Sequence, residues 1–169
     1  MNQKKKLSIL FYLILLTPVF SFLTWWFWPS KKLDILILDK TANEKSRAEH
    51  KSFSWILSYY KYRNPQNGKL YRYYKDYLGF FPLKGTDYYI EDFKYLTPHQ
   101  LDSIAQVNEV FYITDTYGVY YDDWYGSQQM REKSSYLYGG LEDNDYYIFK
   151  KMYEQGKLVL SEFNSLGSP

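Results

Sequence analysis

The chain has 169 residues, a formal net charge of +2 and no cysteine. That composition excludes disulfides, a thiolate nucleophile and cysteine-based zinc or iron–sulfur centres, and with only His50 and His99 present it excludes a histidine-rich metal site as well. Acids and bases are interspersed without a basic stripe, so nucleic acid is not an expected partner.

Leu7 to Trp28 contains no charged side chain. Roughly 22 residues at about 1.5 Å each give a helix of about 33 Å, matching a hydrocarbon core of about 30 Å. Lys4, Lys5 and Lys6 precede it, Lys31 and Lys32 follow it, and Trp25, Trp26 and Trp28 mark its far end, where indoles favour the headgroup level. The apolar run is longer than a signal-peptide core of about 7–15 residues, and no small-residue cleavage site follows. Residues 1–30 are therefore expected to be a cytoplasmic leader and a retained single-pass signal-anchor. The three leader lysines narrowly outweigh the two beyond the segment, so the positive-inside rule places the C-terminal domain outside the cytoplasm.

Residues 31–169 suffice for one domain. The run Leu33 to Leu38 reads as a strand buried on both faces and ends at Asp39. Phe53, Ile56, Leu57 and Tyr60 then repeat at helical spacing within a helix over 46–62, closed by the turn residues of 64–68. Residues 69–84 lack a clean period and read as an insertion or long loop. A strand is expected over 88–96, then a helix opened by Thr97 as cap and Pro98 at its first position. Val110 to Thr114 forms the next strand, ending at Asp115. After a long crossover over 116–140, acids at 142, 143 and 145 open a helix that Gly156 ends. A last strand over 157–161 ends at Glu162.

Strands alternating with helices predict an α/β domain built on a doubly wound, mostly parallel sheet. Four strands leave an open edge, and the chain stops just after one that should feed another helix. It therefore reads as the N-terminal part of a longer protein, with the sheet incomplete at its C-terminus.

Asp39, Asp115 and Glu162 each end an apolar strand, and open α/β sheets bind ligands beyond such strand ends. Paired carboxylates there suit a hard cation or acid/base chemistry. Equally, aspartate is common at strand ends because it starts turns. No metal site is expected, with Asp39 and Asp115 the only weak candidates for one, and no cofactor is expected. His50, near the start of the first helix, is either a base above the sheet edge or an ordinary surface residue; Ser46, Ser161 and Ser165 are available nucleophiles. The run Asp115 to Trp124 joins an acid, a glycine and several aromatics. Tyr117, Tyr120 and Trp124 would line a sugar or peptide pocket, or else the run packs against the insertion at Gly79 to Pro82.

Four blocks, Leu36 to Thr41, Glu49 to Phe53, Ile113 to Tyr121 and Gly156 to Asn164, resemble uncharacterised, membrane-anchored bacterial proteins of Bacteroidetes type. Those are related to the class I glutamine amidotransferase-like superfamily. The resemblance implies a flavodoxin-like sheet, residence in the bacterial inner membrane and a longer chain. It does not imply glutaminase chemistry, because the nucleophilic cysteine is absent. The expected function is a non-catalytic module that binds a ligand or an envelope protein partner, with Asp39, His50, Asp115, Tyr117 and Glu162 as its candidate residues. Two alternatives are a carboxylate- or divalent-cation-dependent hydrolase acting on an envelope or glycan substrate, and a structural part of an envelope assembly.

Overall fold

The computed structural model describes residues 3–41, 44, 46–126 and 134–165. It divides into two compact units, residues 1–30 and 31–169. The first is helix α1, Gln3–Phe27, whose stretch Leu10–Phe27 is apolar, wholly unburied and long enough to cross a membrane. A membrane anchor and a signal sequence share this form. Thr17 and Thr24 donate their hydroxyls to Leu13 O and Phe20 O, each at 2.8 Å, so neither needs water to be satisfied.

The second unit is built on a mixed, mostly parallel sheet. Its elements are β1 (Lys31–Lys32), β2 (Ile35–Asp39), α2 (Ala48–Tyr59), β3 (Tyr62–Arg63), β4 (Leu78–Pro82), β5 (Tyr88–Glu91) and α3 (Pro98–Val107). There follow β6 (Val110–Ile113), β7 (Val119–Tyr120), α4 (Tyr121–Tyr125), β8 (Tyr136–Tyr138), α5 (Asp143–Glu154) and β9 (Leu158–Ser161). The main sheet has five strands in the order β5-β4-β2-β6-β9. Strands β4, β2, β6 and β9 run parallel, and β5 closes one edge antiparallel to β4.

Alternation along β2 and β6 divides the core in two. Ile35, Ile37, Val110 and Tyr112 face one side, where Phe53 and Leu57 of α2 cover them. Leu36, Leu38, Phe111 and Ile113 face the other, against Leu101 and Ala105 of α3 and Ile148 and Met152 of α5. Each such fully buried aliphatic or aromatic side chain stabilises the fold by about 1.5–3 kcal/mol. Thr97 and Gln100 form a reciprocal capping box at the start of α3, so the expected helix start lies where the hydroxyl and proline place it.

Four expectations need revision. Residues 69–84 are not a loop throughout, since they hold β4, an inner strand with Phe80 and Phe81 buried. The strand expected over 88–96 shrinks to the edge strand β5, and the sheet has five strands instead of four. Helix α2 is also shorter than 46–62, because Arg47 (φ 44°) and Lys61 (φ 57°) adopt left-handed backbone at either end. The second turns the chain so that β3 pairs with β1.

Candidate functional site

The chain leaves β2 toward β4 on one side and leaves β6 toward β9 on the other. The C-terminal ends of β2 and β6 therefore flank the point where strand order reverses, the usual place for a ligand crevice in such sheets. Asp39 closes β2 and Asp115 follows β6, as the strand-end reading expected. Beyond Leu38 and Ile113 the two strands stay joined, Thr114 N–H donating to Leu38 O at 3.0 Å and Lys40 N–H to Asp115 O at 2.9 Å.

Thr41 links the two acids. Its N–H donates to Asp39 Oδ1 at 3.1 Å, and its hydroxyl donates to Asp115 Oδ1 at 2.9 Å while accepting from Gly118 N–H at 3.0 Å. Asp115 Oδ1 also accepts from Tyr117 N–H at 2.6 Å. The carboxylates thus order the loop beyond the ends of β2 and β6.

His50 is fully buried, as is Asp39, which removes the surface-histidine reading. Its Nδ1 lies 2.5 Å from Asp39 Oδ2 and its Nε2 lies 2.5 Å from the Tyr73 carbonyl oxygen. A carbonyl oxygen only accepts, so Nε2 carries a hydrogen. The proton between Nδ1 and the carboxylate belongs to one or the other. Either way the ring has no lone pair left for a substrate. The Tyr77 ring packs tilted by 40° against this imidazole, with centroids 4.6 Å apart; its hydroxyl accepts from Arg47 Nε at 2.9 Å and donates to Phe80 O at 2.7 Å. Burial pushes the Tyr77 phenol up to about 12, against the pull of Arg47.

Replacing His50 by glutamine removes the buried imidazole that bonds Asp39. Such a change is expected to cost about 3 kcal/mol and to lower the thermal midpoint by roughly 10 °C. Scanning calorimetry of the full chain checks it; a midpoint within roughly 2 °C of wild type would show that the pair contributes little.

Of the remaining expected residues, Tyr117 joins this cluster through its backbone N–H and Glu162 does not join its hydrogen bonds. Glu162 is exposed and its carboxylate accepts from the Tyr112 hydroxyl; burial first and this acid second push the Tyr112 phenol up. Tyr117 is 47 % exposed at the mouth of the loop, its ring 5.3 Å from that of Tyr120. Trp124 lies edge-on to Phe80 at 4.8 Å and donates its indole N–H to Thr86 O at 2.8 Å, so this end of the aromatic run packs against β4. The available serines bond elsewhere: Ser46 Oγ donates to Glu44 at 3.1 Å, Ser161 Oγ to Glu162 O at 3.5 Å, and buried Ser165 Oγ to Glu162 O at 2.8 Å. Among the described residues, no three His, Asp or Glu side chains gather in a way that could hold a metal ion.

One functional-looking group was not anticipated. Lys40, next to Asp39, is completely buried on the opposite face of the sheet, its Nζ 2.6 Å from Asp145 Oδ2 and 3.7 Å from Glu142 Oε2. Asp145 Oδ2 also accepts from Glu142 N–H at 2.8 Å, capping α5. Two of the three acids crowding this helix start, Glu142 and Asp145, are therefore partners of a lysine. In the sequence Lys40 looks like an ordinary turn residue, and its partner lies 105 positions away.

Compared with known proteins, the chain matches no family model, no curated protein and no solved structure.

Proposed function

We propose that residues 31–169 form an extracytoplasmic α/β binding module, tethered to the bacterial inner membrane by α1, which takes a ligand or a protein partner at the crevice between the ends of β2 and β6. The observation that carries this reading is the state of His50. Both ring nitrogens and the facing Asp39 oxygen are committed to internal bonds, so the one histidine near the crevice braces the wall and is not available as a general base. At the mouth Tyr117 presents an exposed ring beside the loop that the Thr41–Asp115 bond shapes, which suits recognition.

The parallel strands support a finer assignment. Numbered among themselves in chain order, they run 2-1-3-4 across the sheet, the beginning of the flavodoxin-like order, whose ligands occupy this same switch point. That order is consistent with a glutamine amidotransferase-like scaffold that lacks the cysteine nucleophile. The three lysines of the leader favour a cytoplasmic N-terminus.

Native mass spectrometry of the full chain released from nanodiscs tests the binding reading. A retained small-molecule or protein adduct is expected on the wild type. Thr41→Val and Asp115→Asn should lose it while remaining folded. An adduct indifferent to both changes would overturn the crevice assignment. Turnover of a glycoside or peptide substrate abolished by Asp39→Asn, in protein that stays folded, would replace binding by the hydrolase reading.

A further inference from the structure

The small net charge conceals a strong segregation. From His50 to Lys75 the chain has six bases, Lys51, Lys61, Arg63, Lys69, Arg72 and Lys75, and no acid, whereas 76–169 holds 15 acids against 7 bases. A whole-chain reading of interspersed charge misses this.

The acid-free stretch folds into a contiguous surface. The Lys51 ammonium lies 5.2 Å from the Tyr73 ring, joining α2 to the segment before β4. Arg63 bridges to Leu70, and Lys31 N–H donates to Lys61 O at 3.2 Å. Pairing of β1 with β3 adds Lys31 and Lys32, both exposed, beside Tyr62 and Arg63. On the outer side of α2, Trp55 is 66 % exposed, Ile56 44 %, Tyr59 51 % and Tyr60 59 %. Trp55 stacks on Tyr59 at 5.5 Å, and Lys51, Ser52, Trp55 and Ile56 line an open hollow of about 490 Å³.

We propose that this face of α2, with β1 and β3, docks onto the anionic phospholipid headgroups of the membrane that holds α1. Indole and phenol rings beside lysines are the side chains that favour the headgroup layer, and basic clusters next to a span are drawn to anionic lipid. The covalent chain keeps the surface within reach. Only Trp28, Pro29 and Ser30 separate α1 from β1, and four peptide links extend at most about 14 Å. A second copy of the chain is a poor occupant, because it would set basic surface against basic surface. A nucleic acid would satisfy the charge, but nothing tethers it here. The proposal rests on α1 being a membrane span; it is independent of what fills the crevice.

The absence of native cysteine permits a direct test on the full chain. An environment-sensitive fluorophore on Ser52→Cys reports the α2 face, and one on Ser103→Cys reports the exposed side of α3. In nanodiscs containing phosphatidylglycerol, spin-labelled lipid is expected to quench the Ser52 label severalfold more than the Ser103 label. The difference should fall in phosphatidylcholine discs, in high salt and in a Lys32→Glu/Lys51→Glu double variant; the salt arm uses unmutated bases and so does not depend on the variant folding. Equal quenching at both labels, or quenching indifferent to lipid charge and salt, overturns the docking alone. Failure of the chain to enter discs overturns the span and the docking together. Oligonucleotide binding that the double variant abolishes, without lipid contact, assigns the face to nucleic acid instead.

Discussion

Replacing Lys40 by methionine is expected to destabilise the domain by about 3–5 kcal/mol at neutral pH, the usual cost of removing one partner from a buried ion pair. The side chain is completely buried at the end of β2, with Asp145 2.6 Å away and the Tyr138 ring centroid 5.7 Å away. Methionine fills a similar volume, so the loss reflects charge more than packing. Burial already raises the Asp145 carboxyl above its ordinary value, and Lys40 pulls it back only in part; Asp145 Oδ1 makes no hydrogen bond among the described residues.

The pH dependence follows in sign. A carboxyl raised in the folded state contributes stability below its unfolded value and loses that contribution as the pH rises through the folded one. Lys40 offsets this loss at neutral pH. Without it the Asp145 shift grows, so the Lys40→Met deficit should be largest near pH 7 and shrink as acid protonates Asp145. Urea unfolding at several pH values measures this. A deficit that stays constant with pH would assign the effect to packing.

Gly79→Ala is expected to be at least as damaging. Gly79 pairs with Asp39 across β4 and β2, and its φ of +138° is one that side chains rarely tolerate. A Cβ there would meet the Asp39 carbonyl oxygen at 1.7 Å and its carbon at 2.6 Å. Asp39 cannot retreat easily, held as it is by His50 and Thr41. Relief requires β4 to peel from β2, at a cost of roughly 3 kcal/mol or more. Hydrogen exchange should show amides of both β4 and β2 losing protection while those of α3 and α5 change less. Protection unchanged in β4 would mean the backbone finds another accommodation.

The same glycine explains why β4 was hidden in the sequence. Glycine and proline within a run argue against an inner strand, and Gly79 and Pro82 bracket Phe80 and Phe81. Here the glycine permits the close approach to Asp39, and the proline falls at the strand's end. By contrast β2, β6 and β9 were legible, because short aliphatic runs ending in an acid have few other readings. The positions of Asp39 and Asp115 were legible for that reason too. The bond between His50 and Asp39 was not, since it depends on the left-handed turn at Arg47 that starts α2 one residue after it. Lys40 was the least legible, because alternation sends it to the face opposite Asp39 and only the assembled sheet brings α5 to it.

Strand order also has a consequence for how the domain is made. Strand β2 is the first of the main sheet to be synthesised, and it ends up in the middle. Strands β4 and β5 are then added outward on one flank, and β6 and β9 outward on the other, each meeting a neighbour that has already emerged. No strand has to be inserted between two that are already paired. The sheet can therefore be laid down in the order of translation, each strand docking as it emerges.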